Sequence, residues 1–291
     1  MKQYVLILVT LLTVALRAET LVVEDFNYAL GSDLTDSLWF TQWGEASGIT
    51  VTNGLTFSGR EGSEVGGAAM IDVKSSSSQA HLAFEPVLSG DIYAAFLFEP
   101  AANWKDGYFF SFRDSLMNDY STFNFNGRIF IGEEYNLGLT FADNQKKVMS
   151  SYTLDADSVY LLVLRYQIVP GANNDSVSLY AFSSMNAVPE SMEEAIPVVA
   201  PLADGAKPDI DPARVMLRGF DADGLLLVDG IRIATTWTEA IAKSELPEPP
   251  VEDALDEVIT PASKTVKLLD NGHVLIKRGA QLYNILGRTT R

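Results

Sequence analysis

Asp91-Ile-Tyr-Ala-Ala-Phe-Leu-Phe98 and Asp175-Ser-Val-Ser-Leu-Tyr-Ala-Phe182 decide the fold class. In both, apolar residues alternate with small or polar ones, and aromatic and β-branched side chains are frequent. A period of two with that composition belongs to half-buried strands. Gly107-Tyr-Phe-Phe-Ser-Phe-Arg113, Ser121-Thr-Phe-Asn-Phe-Asn126 and Leu225-Leu-Leu-Val-Asp-Gly-Ile-Arg-Ile233 continue the texture, punctuated by Gly, Asn, Asp and Ser. The run from Tyr108 to Phe130 alternates, which assigns most of its rings to a core. Only Ser191–Ile196 and Thr238–Lys243 suit a helix, and both are short. Many strands with no interleaved helices predict two packed antiparallel sheets.

Working outward, the texture holds from residue 19 to residue 243. One looser stretch, Asn186 to Pro208, carries Pro189, Pro197, Pro201 and Pro208 and is expected to be a long loop over one sandwich face. Residues 244–262 read as a linker. Pro247, Pro249 and Pro250 deny them ladder hydrogen bonds, and their like charges keep them extended. Residues 263–291 form a small β module. Asn271-Gly272 is a tight-turn dipeptide and Gly279 marks a second turn, giving short runs near 264–269, 273–278 and 281–286. So small a unit has too little core to hold itself together in water. Its Lys264, Lys267, Lys277, Arg278, Arg288 and Arg291 stand against Asp270 alone, in sharp contrast to the acidic linker. Either the tail folds back on the acidic sandwich or a partner reads it.

The other end is Met1-Lys2-Gln3, an apolar run from Tyr4 to Leu16, then Arg17-Ala18-Glu19. This is the pattern of a secretory signal peptide over residues 1–18. The run is short for a membrane span, and no other long apolar run follows, so the mature chain is expected not to cross a membrane.

Composition narrows the chemistry. The 291 residues include no cysteine, which excludes disulfides, thiol nucleophiles and thiolate metal sites. A net charge of −17 disfavours nucleic acid as a partner. Two histidines, His81 and His273, exclude a multi-histidine metal centre. There is no phosphate-cradling glycine loop, no dinucleotide fingerprint, no Gly-x-Ser-x-Gly elbow and no His-Glu-x-x-His.

Glu24-Asp-Phe-Asn-Tyr28, Val65-Gly-Gly-Ala-Ala69, Tyr160-Leu-Leu-Val-Leu-Arg-Tyr166, Asn174-Asp-Ser-Val-Ser-Leu-Tyr180 and Val228-Asp-Gly-Ile-Arg-Ile-Ala-Thr-Thr-Trp237 recur in order. Together they resemble the concanavalin A-like lectin/glucanase (laminin-G-like) domains of secreted bacterial proteins, which implies an all-β, two-sheet antiparallel jelly-roll sandwich. The tail Asn271 to Gly287 resembles type IX secretion sorting domains. That likeness implies passage across a Gram-negative outer membrane, the secretion machinery as a partner, and an extracellular or outer-surface location.

The laminarinase-like members of such a family carry Glu-x-Asp-x-x-Glu on one strand, and this sequence has no such pattern. Glu133-Glu134 would point to opposite faces of a strand, Glu193-Glu194 lie in the looser stretch, and Asp221-Ala-Asp-Gly224 reads as a hairpin turn. A polysaccharide lyase would need a Tyr, His or Lys base beside a charge-neutralising group, and no spacing singles one out. For metal, the resemblance implies that Glu24 on the first strand and Asp229 on the last help to hold a structural Ca²⁺. The alternative is that Asp229-Gly230 makes a bulge and Glu24 is exposed. For glycans, exposed aromatic faces flanked by amides and acids are required. Trp39, Trp43 and Trp104 stand in loop-like contexts near Gln42, Glu45, Asn103 and Asp106, with core or lid packing as the competing role. Three functions follow: a non-catalytic surface protein that binds polysaccharide or surface glycan, a structural or matrix protein with protein partners, or an atypical glycan-cleaving enzyme.

Overall fold

A computed structural model describes residues 18–41, 46–72, 78–100, 107–115, 125–132, 134–219, 224–244, 265–270, 273–278 and 281–284. The expected signal peptide up to residue 17 and nearly all of the linker lie outside the described residues. The chain divides into two compact units between Leu246 and Pro247.

The first unit is a sandwich of two antiparallel sheets, as the alternation predicts, consistent with the jelly roll that the resemblance implies. Its strands are β1 (Thr20–Glu24), β2 (Ile49–Asn53), β3 (Gly67–Asp72), β4 (Ser78–Ala83), β5 (Gly90–Pro100), β6 (Gly107–Arg113) and β7 (Phe125–Ile131). They continue with β8 (Asn136–Thr140), β9 (Val148–Thr153), β10 (Tyr160–Ile168), β11 (Ser176–Phe182), β12 (Val199–Leu202), β13 (Arg214–Gly219) and β14 (Leu225–Ala234). One sheet runs β12-β11-β10-β5-β14-β3-β2, with β1 also pairing β14; the other runs β4-β13-β6-β7-β8-β9. Among the described residues no helix is long and apolar enough to cross a membrane.

The inner walls close on stacked rings. Phe96 lies over Phe110 with centroids 4.4 Å apart, and Phe98 over Phe109 at 4.6 Å. Ile92, Ala94, Phe96 and Phe98 of β5 face this core, while Tyr93, Ala95 and Leu97 face the other way. Both sets are buried, because the outer face of the eight-stranded sheet carries a third layer. That layer contains α1 (Trp237–Ile241), Leu55 and Phe57 of the β2–β3 connection, and Met185 and Val188. Trp237 anchors it with edge contacts to Tyr93, Tyr180 and Phe182. Thr236 caps α1 by accepting from the Glu239 amide, and Ala242 ends it in the left-handed region. The β2–β3 connection needs Gly66 at φ +74°, since a Cβ there would sit 1.8 Å from the Asp25 carbonyl oxygen.

One expectation changes. The stretch from Asn186 to Pro208 does cover the outer face through Val188, Met192 and Ala195, but it is not all loop. Val199–Leu202 adds an edge strand in register with Val177 and Leu179 of β11. The hairpin turn expected at Asp221-Ala-Asp-Gly224 lies, apart from Gly224, outside the described residues; β13 and β14, the strands on either side of it, belong to different sheets.

The second unit is a three-stranded antiparallel meander of β15 (Thr265–Asp270), β16 (His273–Arg278) and β17 (Gln281–Asn284). Asp270 pairs His273, so two residues join β15 to β16, as the Asn-Gly dipeptide predicts.

Candidate functional site

Of the tryptophans singled out in the sequence, Trp43 and Trp104 lie outside the described residues. Trp39 is 2% exposed. Its ring stacks on Phe26 at 5.8 Å, and its indole N–H donates to Glu24 Oε2 at 3.0 Å. It offers no ring face to a sugar; its role is to close the core beside β1. Glu24 is the hub of that corner. Its carboxylate also accepts from the Phe26 amide and the Tyr28 hydroxyl, each at 2.7 Å. Burial and this hydrogen bond push the Tyr28 phenol up to about 12.

Asp229 is equally enclosed. It accepts from the amides of Leu55 at 2.7 Å and of Gly230. Gly230 at φ +54° and the register break between Asp229 and Arg232 are the bulge. Burial pushes its carboxyl up to about 7, partly offset by those amides and by Arg60. The oxygens of Glu24 and Asp229 therefore face N–H and O–H donors, and a guanidinium acts on Asp229. That donor set does not fit a calcium ion, which needs several free oxygen lone pairs. Among the described residues no group of three or more His, Asp or Glu side chains is placed to hold a metal.

The site that sequence reasoning missed lies on the outer face of the six-stranded sheet. Inward Ala80, Leu82, Val215 and Leu217 alternate with outward Gln79, His81, Arg214, Met216 and Arg218. The ladder puts His81, Met216 and Ser111 in one row across β4, β13 and β6. One pleat away, Arg214 stands directly opposite Arg113. Like charges in that position repel. Tyr108, Phe125, Phe130 and Met216 make a buried apolar patch among them. Guanidiniums lie on the rings: Arg113 is 4.1 Å from the Phe125 centroid and Arg218 4.9 Å from that of Tyr108.

Burial of polar groups here is severe. His81 is 0% and Arg113 3% exposed. The His81 ring stacks on Phe40 at 5.7 Å, and neither ring nitrogen has a partner. Burial first, then Arg113, Arg214 and Arg218, pull its pKa down to about 3, so the imidazole is neutral at ordinary pH. Burial and the facing Arg214 lower Arg113 to about 10. Asp114 carries part of the counter-charge, with Oδ1 3.6 Å from Arg214. Beside Arg214 opens a cavity of about 380 Å³ lined by Phe40, Phe84, Pro86, Ser115 and Ala213. A larger cavity of about 560 Å³ holds Asp175 and Asp209, but their carboxylates are already bound to Tyr166 Oη and to loop amides.

No protein-family model matches this sequence, and no curated protein matches it. Solved structures resemble it in fold. A GH131 β-glucanase catalytic domain from Podospora anserina is 12% identical, over 76% of this chain and 88% of that one, at a TM-score of 0.39. A galectin from Caenorhabditis elegans is 9% identical, over 56% and 94%, at 0.32. A sialidase from Trypanosoma rangeli is 10% identical over 74% of this chain at 0.40, and the chain spans 30% of the sialidase's length. No residue's role is carried over from any of them.

Proposed function

We propose that this is a secreted or surface-attached protein that binds glycan without cleaving it, through the cavity beside β4 and β13 of the six-stranded sheet. One observation carries the reading: Phe40, Phe84 and Pro86 line an open cavity of about 380 Å³ together with Glu85, Ser115 and Arg214. Sugar recognition asks for ring faces flanked by a few directed polar groups. The apolar leader and the basic tail support an extracellular place of work. Trp43 and Trp104 join the reading as further candidates for stacking.

A glycan array probed with the full chain tests it. Binding is expected, and Phe40→Ala is expected to weaken it, as are Trp43→Ala and Trp104→Ala if those rings contribute. Binding indifferent to all three variants overturns the placement. The same incubations, scored for new reducing ends, separate binding from cleavage. Absence of any glycan ligand, with specific capture of a surface protein by the sandwich, would favour a matrix role instead.

A further inference from the structure

The cavity of about 380 Å³ and the one of about 560 Å³ are neighbours along the same two chain segments. Residues 83–86 and 213–214 line the first, and residues 88 and 209–211 line the second. The segments run antiparallel and are tied together there. The Phe84 amide donates to the Ala213 carbonyl at 2.9 Å and the Val87 amide to the Pro212 carbonyl at 3.0 Å. Ser115, which is exposed, lines both cavities. The Arg214–Asp114 pair stands at the join, with Arg214 lining the smaller cavity and Asp114 the larger. Solvent reaches both linings: Phe40 and Phe84 are half-buried, Pro86 and Asp211 are exposed, and Leu88 is 67% exposed. Each volume lies in the range of about 300–1,000 Å³ that takes a small ligand, so a molecule filling both carries at least two such units.

The larger cavity sets Leu88, Ile168 and Val169 beside the carboxylates of Asp175, Asp209 and Asp211. An apolar wall next to acceptors suits a sugar, whose C–H faces pack on the one while its hydroxyls donate to the other. The two Asp209 oxygens accept from the amides of Asn174 and Asp175, and each keeps a second lone pair for a hydroxyl. Charge then decides which sugars fit. Asp114 adds a fourth carboxylate, and among the described residues no Lys or Arg lines this cavity. Burial first, then Asp209 and Asp211, raise the pKa of Asp175, which marks a negative field. The smaller cavity sets Glu85 against Arg214. That guanidinium is already engaged: its Nε donates to the Asp114 carbonyl at 2.6 Å, and its Nη2 lies 3.6 Å from Asp114 Oδ1. Arg113 lines neither cavity and lies on the Phe125 ring. An anionic sugar would meet like charge along this path, and a neutral one would not.

We propose, building on the glycan-binding reading, that the two cavities form one continuous site for a neutral oligosaccharide. One sugar packs on Phe40, Phe84 and Pro86. A following sugar lies between Leu88 and the carboxylates of Asp209 and Asp211, with Ser115 at the crossing. The same carboxylates turn acidic glycans away.

The test is calorimetric titration of the full chain with neutral glucose, mannose, galactose and xylose oligosaccharides of one to six units, and with uronate oligosaccharides of matching length, at low and high salt. At least one neutral series is expected to gain about tenfold or more in affinity as its length comes to fill both cavities, and then to level off. That affinity is expected not to depend on salt, whereas uronates bind about tenfold or more weakly and recover as salt screens the repulsion. Asp211→Lys is expected to abolish the gain with length and to leave the shortest ligand that binds unaffected. Leu88→Ala, at an exposed position, is expected to reduce the same gain and serves alone if Asp211→Lys fails to fold. Phe40→Ala is expected to weaken every length. Neutral binding that does not grow with length, or that grows equally in Asp211→Lys and Leu88→Ala, would overturn the continuous site and leave glycan binding at the smaller cavity standing. Tighter binding of uronates than of neutral sugars would overturn the neutral preference, and the proposal with it. No binding of any glycan overturns both readings.

Discussion

The outer faces of the two sheets bury polar groups to the same depth and treat them oppositely. On the eight-stranded side, Arg60 is 3% exposed and gives its guanidinium to the carbonyl oxygens of Gly230, Ala95 and Ile241. There too Asp229 is met by two amides, Trp237 donates to the Pro189 carbonyl, and Lys243 reaches Val188 and Glu190. On the six-stranded side, Arg113 is as deeply buried and unmet at two nitrogens. Burial alone does not separate structure from function; satisfaction does. The first face is closed by the chain's own third layer. The second leaves several enclosed side-chain donors unmet.

The comparison breaks first, and with the largest effect, on the eight-stranded side. Trp237→Ala removes the ring that Tyr93, Tyr180 and Phe182 pack against, and a loss of about 3–5 kcal/mol is expected in urea unfolding. Arg60→Met leaves three carbonyl oxygens and Asp229 without their cation, and is expected to cost about 3 kcal/mol or more. A cost below about 1 kcal/mol for both would mean that the third layer contributes nothing, and the contrast between the faces would be void.

A second pair of variants reads the two faces through pH, with opposite signs. His81 has a folded pKa of about 3 against an ordinary 6.5. The unfolded chain binds that proton first, so His81 makes stability rise with pH from about 3 to about 6.5, and its contribution is complete above that. Asp229 has a folded pKa of about 7 against 3.8. There the folded chain holds the proton, and stability falls as pH rises from about 3.8 to about 7. The two offset one another in the wild-type protein. His81→Phe is expected to make the slope of stability against pH more negative between 4 and 6.5, and Asp229→Asn more positive. Each change is at most about 1.4 kcal/mol per pH unit. Urea melts across that range decide it, and parallel curves for wild type and either variant would show that the group concerned does not titrate as its surroundings dictate.

The fold was largely legible because alternation survives wherever one face differs from the other, as in β13, where Val215 and Leu217 point in and Arg214 and Arg218 out. It blurred in β5 and β10, which are buried on both faces by the sandwich core and the third layer. In the Tyr108–Phe130 run strict alternation fails: Tyr108, Phe110 and Phe112 are spaced two apart, but the register break between Tyr108 and Phe110 leaves Tyr108 in the outer patch with Phe125 and Phe130 while Phe110 and Phe112 face the core. Both sets are apolar, so composition gave no sign that one lay outside the core. The candidate site was not legible. Gln79-Ala-His81 and Arg214-Val-Met-Leu-Arg218 looked like the polar faces of ordinary strands. What makes them unusual is their joint burial and the direct opposition of Arg113 and Arg214, both products of pairing between segments about a hundred residues apart. Trp39 misled for a related reason: its irregular local sequence suggested exposure, while the Phe26 ring and the Glu24 carboxylate that enclose it come from β1 and the turn after it.

The smallest expected effect is the most discriminating. Arg113→Met deletes a buried charge that makes no hydrogen bond through Nε or Nη1 and stands opposite another guanidinium. It retains a long unbranched chain to pack on Phe125, with a sulfur–aromatic contact in place of the cation–π one. Removing an unmet buried charge relieves desolvation and repulsion, so the ligand-free protein is expected to stay within about 1 kcal/mol of wild type or to gain stability. Arg60→Met, the same substitution at the same depth, is the matched control. Near-equal, large losses for the two would mean that Arg113 is a structural cation like Arg60, and the contrast between the two faces would be void. A near-silent Arg113→Met beside a damaging Arg60→Met would mean that the fold tolerates this guanidinium without depending on it.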